Sequence, residues 1–282
     1  MVGTLPTAQI HTRRDPWRLP KEIFSALVAG GLASPLVSIV DKSIVKDITG
    51  FVPFMAALKE AFTKMLHQPR AFFTGAPFLL TYAVYAGTYL AANLSELGLD
   101  YAKSIDPHER KTVKVAFSAS ANIGLLAWRD SLFARMYATS AQVTRTPRSV
   151  ISLFAFRDAA TMWATFYAAP QAAQYLQDKH HWNNHMAQVS TALVVPAATQ
   201  IVTAPIHILA IDLFNRPVAR DRWAKIVSEY GKVCLARTMR ILPAFGLGSF
   251  VNTQLREQFI RHGHWYEHSV AIDVAGKANE NK

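Results

Sequence analysis

The fold is decided by the stretch ARTMRILPAFGLGSF, residues 236–250. Arg240 and Pro243 stand inside a run that is otherwise apolar and rich in small residues. Such a run is typical of a membrane helix that packs against neighbours, because small side chains allow close approach and a bundle interior satisfies polar groups. The rest of the chain should therefore supply the neighbouring helices.

Long apolar blocks dominate the sequence. Of its 282 residues 51% are hydrophobic and 17% are charged, against roughly 25% charged residues in a soluble domain. Six blocks are long enough to cross a bilayer, which takes about 20 apolar residues. They cover residues 22–40, 71–95, 112–138, 149–176, 186–214 and 233–256. The pattern predicts an all-α membrane protein with six transmembrane helices, and the alternative is a large soluble helical protein with fully apolar core helices.

Composition excludes several classes of function. The net charge is +11, but the basic residues are spread through the loops, which fits contact with anionic lipid headgroups better than nucleic-acid binding. Cys234 is the only cysteine, so the chain forms no internal disulfide and no cysteine-based metal cluster. His264 and His268 are four residues apart, but Gly263 weakens a helix there, so we expect no metal site. We find no nucleotide loop, nucleophile elbow or paired carboxylates, and therefore expect neither an enzyme nor a cofactor.

The first, third and fifth blocks resemble one another, and so do the second, fourth and sixth. This alternation suggests three repeats, at residues 22–98, 112–177 and 186–257, between tails 1–21 and 258–282. The odd blocks carry small residues ahead of Pro35, Trp128 and Pro205. The even blocks align at aromatic residues, which are Tyr89, Phe166 and Phe250. Amphipathic segments at 54–67 and 221–230 separate odd from even blocks and predict surface helices.

Three such units, together with the segment EYGKVCLARTMRILPAFGLGSF at residues 229–250, resemble the mitochondrial carrier family. The resemblance implies a carrier-like bundle of six transmembrane helices over residues 22–257, with a central cavity closed at each end by ion pairs. Of the gate charges on the odd helices, only the acid at Asp130 is kept. The charges expected after the even-helix aromatics are missing.

Arg240 is the first candidate for a binding residue, because an arginine in mid-membrane costs at least about 2.5–3.5 kcal/mol without a partner or a wet cavity. The resemblance implies that Arg240 and Arg157 face the cavity and hold a carboxylate or phosphate. Thr81, Asn122 and His207 are further candidates for the substrate site. Alternatively, Arg240 pairs internally, Arg157 is neutralised by Asp158 or Asp130, and His207 is a neutral, hydrogen-bonded side chain.

A second group of charges lies where the resemblance places the matrix gate. Asp130 could pair with Lys42, and Asp212 with Arg135, as a displaced remnant of that gate. The alternative is that these four residues are helix-end charges at the level of the lipid headgroups.

Two functions remain open from the sequence. The first is transport of a small anionic metabolite across the mitochondrial inner membrane, with the bilayer, including anionic lipids, and that solute as partners. The second is a carrier-fold protein that does not transport and serves as a scaffold, assembly or insertion factor with a protein partner, in the inner or the outer membrane. The missing gate charges favour the second, whereas Arg240, the aromatic ends of the even helices and the small-residue odd helices favour the first. We expect the first, transport, with the second as the alternative. The basic loops between odd and even helices favour the inner membrane.

Overall fold

A computed structural model describes residues 17–102, 106–138 and 145–259. These ranges are helical with short connections and contain no strand. The helices are α1 Arg18–Ile48, α2 Phe54–His67, α3 Pro69–Phe73, α4 Ala76–Tyr101, α5 Pro107–Met136, α6 Arg148–Trp163, α7 Ala169–His180, α8 Asn184–Asn215 and α9 Arg222–Met239. Residues 248–259 form α10. A π-helical segment, Ala164–Ala168, joins α6 to α7, and a second, Leu242–Leu247, lies between α9 and α10.

The long helices form a closed ring in chain order. Helix α1 packs on α4, α4 on α5, α5 on α6, and α6 with α7 on α8; α8 packs on α9, and the second π segment returns to α1. The short helix α2 lies against α1. The predicted helical class and the surface helix at residues 54–67 are confirmed.

Helix α1 points its small residues inward and its large ones outward. Ala26, Ala29 and Ala33 are fully buried. The outward stripe consists of Phe24, Leu27, Leu32 and Leu36, which are 41–51% exposed. A soluble protein rarely exposes a contiguous stripe of large apolar side chains, whereas lipid is as apolar as leucine and leaves the interior to small residues.

Two of the described helices, α1 and α8, are long and apolar enough to cross a membrane. Helix α8 also has an apolar outer surface, formed by Met186, Val189, Val194, Ile201 and Val202. This outward apolar surface favours a membrane bundle over the soluble alternative.

The three-repeat alignment does not describe the packing. The alignment of Tyr89, Phe166 and Phe250 makes the residues ten positions earlier, Leu79, Phe156 and Arg240, equivalent. Leu79 and Phe156 are nevertheless 47% and 64% exposed, whereas Arg240 is 7% exposed. Likewise Tyr89 is buried while Phe250 points outward. A mixture of small and aromatic residues is common to membrane helices in general, so similar composition did not imply an equivalent orientation.

The second π segment is built around Pro243, which lacks an N–H and disturbs the helical hydrogen bonds. The Gly248 N–H donates to the Pro243 carbonyl, and the buried hydroxyl of Tyr89 donates to the Ala244 carbonyl at 2.8 Å. A Cβ at Gly248 would collide with that hydroxyl. Tyr89 thus fixes the π segment to α4.

Helix α9 continues through Gly231 to Met239, beyond the surface segment at residues 221–230 that the sequence predicted.

Ion pairs attach the surface elements to the end of α1. The Lys46 ammonium donates to Glu60 of α2 at 2.9 Å and thereby lowers the pKa of this half-exposed carboxyl group. Lys232 of α9 pairs with Asp47 at 2.9 Å. Exposed pairs of this kind contribute little stability, at most about 1 kcal/mol each, but they fix the position of α2 and α9 relative to α1.

The contact of α1 with α4 predicts opposite effects at two adjacent glycines. A Cβ at Gly30 would lie 2.7 Å from the backbone nitrogen of Ala86, whereas the nearest atom to a Cβ at Gly31 is a ring carbon of Tyr82 at 3.8 Å. We expect Gly30→Ala to destabilise the bundle by about 1–3 kcal/mol through overpacking. Gly31→Ala should be neutral or stabilising by up to about 1 kcal/mol, because alanine favours helix.

Thermal unfolding of the two purified variants in detergent measures this difference. Equal melting temperatures would show that α1 and α4 are not held in this close contact.

Candidate functional site

Charged side chains are buried at the centre of the ring, where α1, α5, α6 and the end of α9 meet. We call this set the inner network; it consists of Asp41, Arg129, Asp130, Arg157, Asp158 and Arg240. Each of the six residues is at most 7% exposed. Since an unpaired charge in such a place is very costly, their mutual pairing is a condition for this packing.

Asp41 joins α1 to the two arginines that face it. Arg240 Nη1 donates to both carboxylate oxygens of Asp41, at 2.8 and 2.6 Å. Arg129 Nη1 lies 2.8 Å from Asp41 Oδ2, close enough for an ion pair although not aligned as a hydrogen bond. The carboxylate thus connects three segments of the chain that are remote in sequence.

The network continues from α5 to α6. Asp130 accepts from Arg129 at 2.7 Å and from Arg157 at 2.6 Å, and Arg157 also donates to Asp158 at 2.6 Å. Arg157 Nη1 lies 2.5 Å from Nδ1 of His207 on α8. Because a guanidinium can only donate, Nδ1 accepts and the imidazole is neutral. This geometry favours the neutral, hydrogen-bonded alternative for His207.

A fourth buried arginine, Arg237, stands beside the network. Its Nε donates to Gln200 Oε1 at 2.9 Å, whereas within the described part of the chain no carboxylate contacts it and its Nη2 has no partner. With Arg237 included, four buried arginines face three buried aspartates. The interior therefore carries an excess of positive charge at this level.

A cavity of about 380 Å³ lies against one side of the inner network. Asp158 and Arg240 belong to its wall, together with aromatic and amide side chains from α4, α5 and the segment after α9. The polar members are Tyr85, Thr88, Tyr89, Asn93, Lys114, Ser118, Asn122, Asp158, Thr161, Thr165, Arg240, Ser249, Asn252, Thr253 and Arg256. A pocket with one acid and one base at its inner end can bind a solute that carries both charges.

The other end of the cavity carries a second group of ion pairs, which we call the mouth cluster: Glu22, Glu96, Lys114 and Arg256. Arg256 donates to Glu22 at 2.5 Å and to Glu96 at 3.0 Å, and Lys114 also pairs with Glu96. Glu96 and Lys114 are more than one third exposed. The cavity therefore runs from a solvent-accessible ionic cluster to a buried one.

Beyond the inner network, the opposite half of the bundle is filled by apolar side chains. This core includes Ile44, Phe133, Phe154, Ile208 and Phe214. The packing leaves the cavity closed in that direction.

The structure separates the predicted binding residues. Arg240 and Asn122 line the cavity. Arg157 and His207 lie behind the wall, in contact with each other. Thr81 is fully buried and donates to the Pro77 carbonyl at 2.9 Å, which leaves it outside the lining. The sequence left two alternatives for Arg240, internal pairing or a position facing the cavity. In the structure Arg240 does both.

The predicted gate charges have other partners than those expected. Asp130 contacts Arg129 and Arg157, whereas Lys42 lies 3.5 Å from Glu60. The Asp212 carboxylate accepts from Arg216 at 2.7 Å and from Arg222 at 2.8 Å. Arg135 is exposed. The reason is geometric: α1 continues past its apolar block to Ile48 and places Lys42 against α2, away from Asp130.

Sequence reasoning missed Asp41 and the cavity position of Asp158. The first apolar block was ended at residue 40, but α1 continues to Ile48 and places Asp41 inside the bundle. The available signal was that residues 43–45 remain small or apolar after Asp41. The mouth cluster was also missed, because its acids lie near helix ends and resemble ordinary surface charges.

Comparison with known families gives one result. A family described as "Probable citrulline exporter" matches residues 25–260. No curated protein matches the chain significantly. The predicted membership of the mitochondrial carrier family is therefore wrong, and the unequal orientation of the supposed repeats agrees with this correction.

The inner network predicts that loss of Asp41 is costly. Asp41→Asn retains the shape but removes the anion that Arg129 and Arg240 share, and breaking a buried pair in this way costs about 3–5 kcal/mol. Glu60→Gln removes a carboxylate that also contacts two cations, but one that is 50% exposed, so we expect about 0–1 kcal/mol.

Unfolding of both variants in mild detergent gives the comparison. A loss in Asp41→Asn no larger than that in Glu60→Gln would show that Asp41 does not hold the network together.

Proposed function

The chain belongs to the family described as "Probable citrulline exporter", and we propose that it transports a small zwitterionic amino acid of the citrulline class across a membrane. The observation that carries this proposal is the presence of Asp158 and Arg240 together at the inner end of the cavity. Asp158 is placed to bind the α-ammonium group and Arg240 the α-carboxylate. This replaces the small anion expected from the sequence, because an acidic side chain in the wall opposes an anion without an ammonium group.

The remaining charges of the cavity favour a substrate whose side chain is uncharged. The wall carries three basic side chains, which are Lys114, Arg240 and Arg256. Among the described lining residues the acidic side chain is Asp158. A cationic side chain such as that of ornithine or arginine would be repelled by Lys114 and Arg256 near the mouth. A ureido group avoids this repulsion and can form hydrogen bonds with the lining amides and hydroxyls.

The two ionic clusters supply what a transport cycle requires at its ends. Alternating access needs two closed states of similar free energy, and the lack of expected gate charges was the argument for a scaffold that does not transport. The inner network and the mouth cluster remove that argument, since ion pairs lie at both ends of the cavity. We propose that the inner network is the closed gate in this conformation.

Arg240 links substrate binding to this gate. Its guanidinium is paired with Asp41 of α1 and also faces the cavity. A substrate carboxylate at Arg240 competes with Asp41, and a substrate ammonium at Asp158 competes with Arg157. Binding thus weakens the contact of Arg240 with α1 and an ion pair within α6, while replacing the charge that each residue loses.

Location in the mitochondrial inner membrane remains a prediction. Its support is the basic character of the loops between the helices, since the resemblance to mitochondrial carriers no longer contributes. Fractionation of the tagged full-length protein, with protease protection of each terminus, tests the membrane and the orientation.

Transport by purified protein in liposomes tests the proposed function. We expect uptake of labelled citrulline against internal citrulline, with little competition from arginine, ornithine or a simple carboxylate. Asp158→Asn and Arg240→Gln should each raise the KM at least about tenfold, because each loses a charge-assisted contact of more than about 1.4 kcal/mol.

The network offers a matched control for each variant. Asp130 pairs with Arg157 at the same 2.6 Å as Asp158, and Arg129 shares Asp41 with Arg240, but neither Asp130 nor Arg129 lines the cavity. Asp130→Asn and Arg129→Gln should therefore lose stability with a smaller change in KM. Equal KM changes in all four variants, or an absence of citrulline transport by the wild type, would contradict the proposal; a protein partner co-purifying with a non-transporting chain would favour the scaffold instead.

A further inference from the structure

One buried acceptor in the cavity wall has no donor among the residues that the structure describes. Asn122 on α5 is 5% exposed, and its Oδ1 is without a hydrogen-bond partner. Its Nδ2 donates to Thr88 Oγ1 of α4 at 3.0 Å. Among the described residues whose side chains line the cavity, Asn122 is the one with such an unpaired buried atom.

The orientation of the Asn122 amide follows from its neighbour. The Thr88 hydroxyl donates its hydrogen to the Val84 carbonyl at 2.8 Å. Towards Asn122 it can therefore only accept, so the NH₂ group of Asn122 faces Thr88 and the carbonyl oxygen remains as an acceptor. Rotating the amide by 180° would place two acceptors against each other.

We infer that Asn122 Oδ1 recognises the N–H groups at the end of the substrate side chain and thereby determines which neutral amino acids the site accepts. This inference rests on the proposed function. A solute that displaces water from the cavity must donate to Oδ1 or leave it unpaired, and sites built around such a group discriminate strongly against analogues that lack the donor. Apolar amino acids of equal length are then rejected.

The spacing on α5 between Asn122 and the level of the inner network is comparable with the length of a ureido amino acid. Asn122 lies eight residues before Asp130 on α5, which is about 12 Å along the helix axis, and Asp130 and Asp158 share Arg157. Six bonds separate the α-carbon of citrulline from its terminal nitrogen, about 7.5 Å when extended. Adding a hydrogen bond of about 2.9 Å at each end gives a span of about 13 Å.

The side wall between these two levels is suitable for the methylene groups. Leu126 lies one helical turn from Asn122 towards Asp130, and Met162 lies one turn along α6 from Asp158. Both are in the lining. The cavity thus places charge, apolar surface and a hydrogen-bond acceptor in the order in which a citrulline-like solute carries its groups.

An isosteric pair of ligands tests this role. The probes are citrulline and 2-amino-7-oxooctanoic acid, in which CH₂ and CH₃ replace the two ureido nitrogens and the length and carbonyl group are kept. Binding is measured as ligand-induced thermal stabilisation of the purified full chain, and transport is measured separately in liposomes. We expect wild type to prefer citrulline by roughly tenfold or more.

Substitution of Asn122 should change this preference specifically. Asn122→Leu should raise the Kd for citrulline about tenfold, with little change for the ketone, so that the preference disappears. Asn122→Asp retains an acceptor and adds a negative charge, so it should admit ornithine and arginine. The control is Ser118→Ala, one turn away in the same wall; the Ser118 hydroxyl already donates to the Lys114 carbonyl at 2.7 Å, and we expect the preference to persist.

The outcomes separate the two proposals. A parallel loss of both ligands in Asn122→Leu would mean that Asn122 only holds α4 to α5, and would overturn this inference while leaving the proposed function intact. Citrulline binding without transport, with the preference abolished in Asn122→Leu, would overturn the transport function and support the assigned role of Asn122. Absence of any citrulline-induced stabilisation of wild type would overturn both.

Discussion

Pairing of charge inside the ring is the constraint on which the structure depends. Arg129 and Arg157 are among the largest fully buried side chains described, and neither could remain there without Asp41, Asp130 and Asp158. Because Asp41 contacts arginines of α5 and of the end of α9, and Asp130 contacts Arg157 of α6, the alignment of α1, α5, α6 and α9 along the bundle axis is fixed at one level. Buried pairs add little net stability over apolar packing, so their value here lies in determining the register of the helices and in presenting charge to the cavity.

The small side chains in the interior account both for the cavity and for the close contacts between helices. Small residues such as Gly30 and Ala33 face inward on α1 and allow α4 to approach, while the large apolar residues point outward, where lipid rather than protein surrounds them. An interior built from small residues leaves space where helices diverge, and the polar side chains at that space have water as an alternative partner. The apolar half beyond the network lacks this option and packs tightly, so the protein is open at one end and closed at the other.

Composition and pattern were sufficient to predict the helical class, the surface helix at residues 54–67 and that Arg240 has a partner or a cavity, which an arginine in an apolar run requires. Composition and pattern were not sufficient to predict which side chains Arg240 and the other buried charges pair with. The first apolar block ends at residue 40, but helix α1 continues to Ile48 and buries Asp41. Whether Asp41 is buried therefore depends on where α1 ends. The orientation of Leu79 and Phe156 depends on which face each helix turns to its neighbours, and similar composition in successive blocks carries no information about that face. The family assignment failed for the same reason, because it treated shared membrane-helix composition as shared structure.

The arrangement of the site also explains why stability and binding are linked in this chain. Arg240 and Asp158 each satisfy a buried partner and also face the cavity, so neither can bind a solute without weakening an ion pair of the inner network. A solute with both an ammonium and a carboxylate group exchanges one ion pair for another at both positions and leaves the charge balance of the interior unchanged. A cation would add to the excess positive charge that Arg237 leaves in the interior. Electroneutral exchange of partners therefore favours zwitterions over cations, independently of any single hydrogen bond to the substrate side chain, and the acidic Asp158 in the wall favours them over anions without an ammonium group.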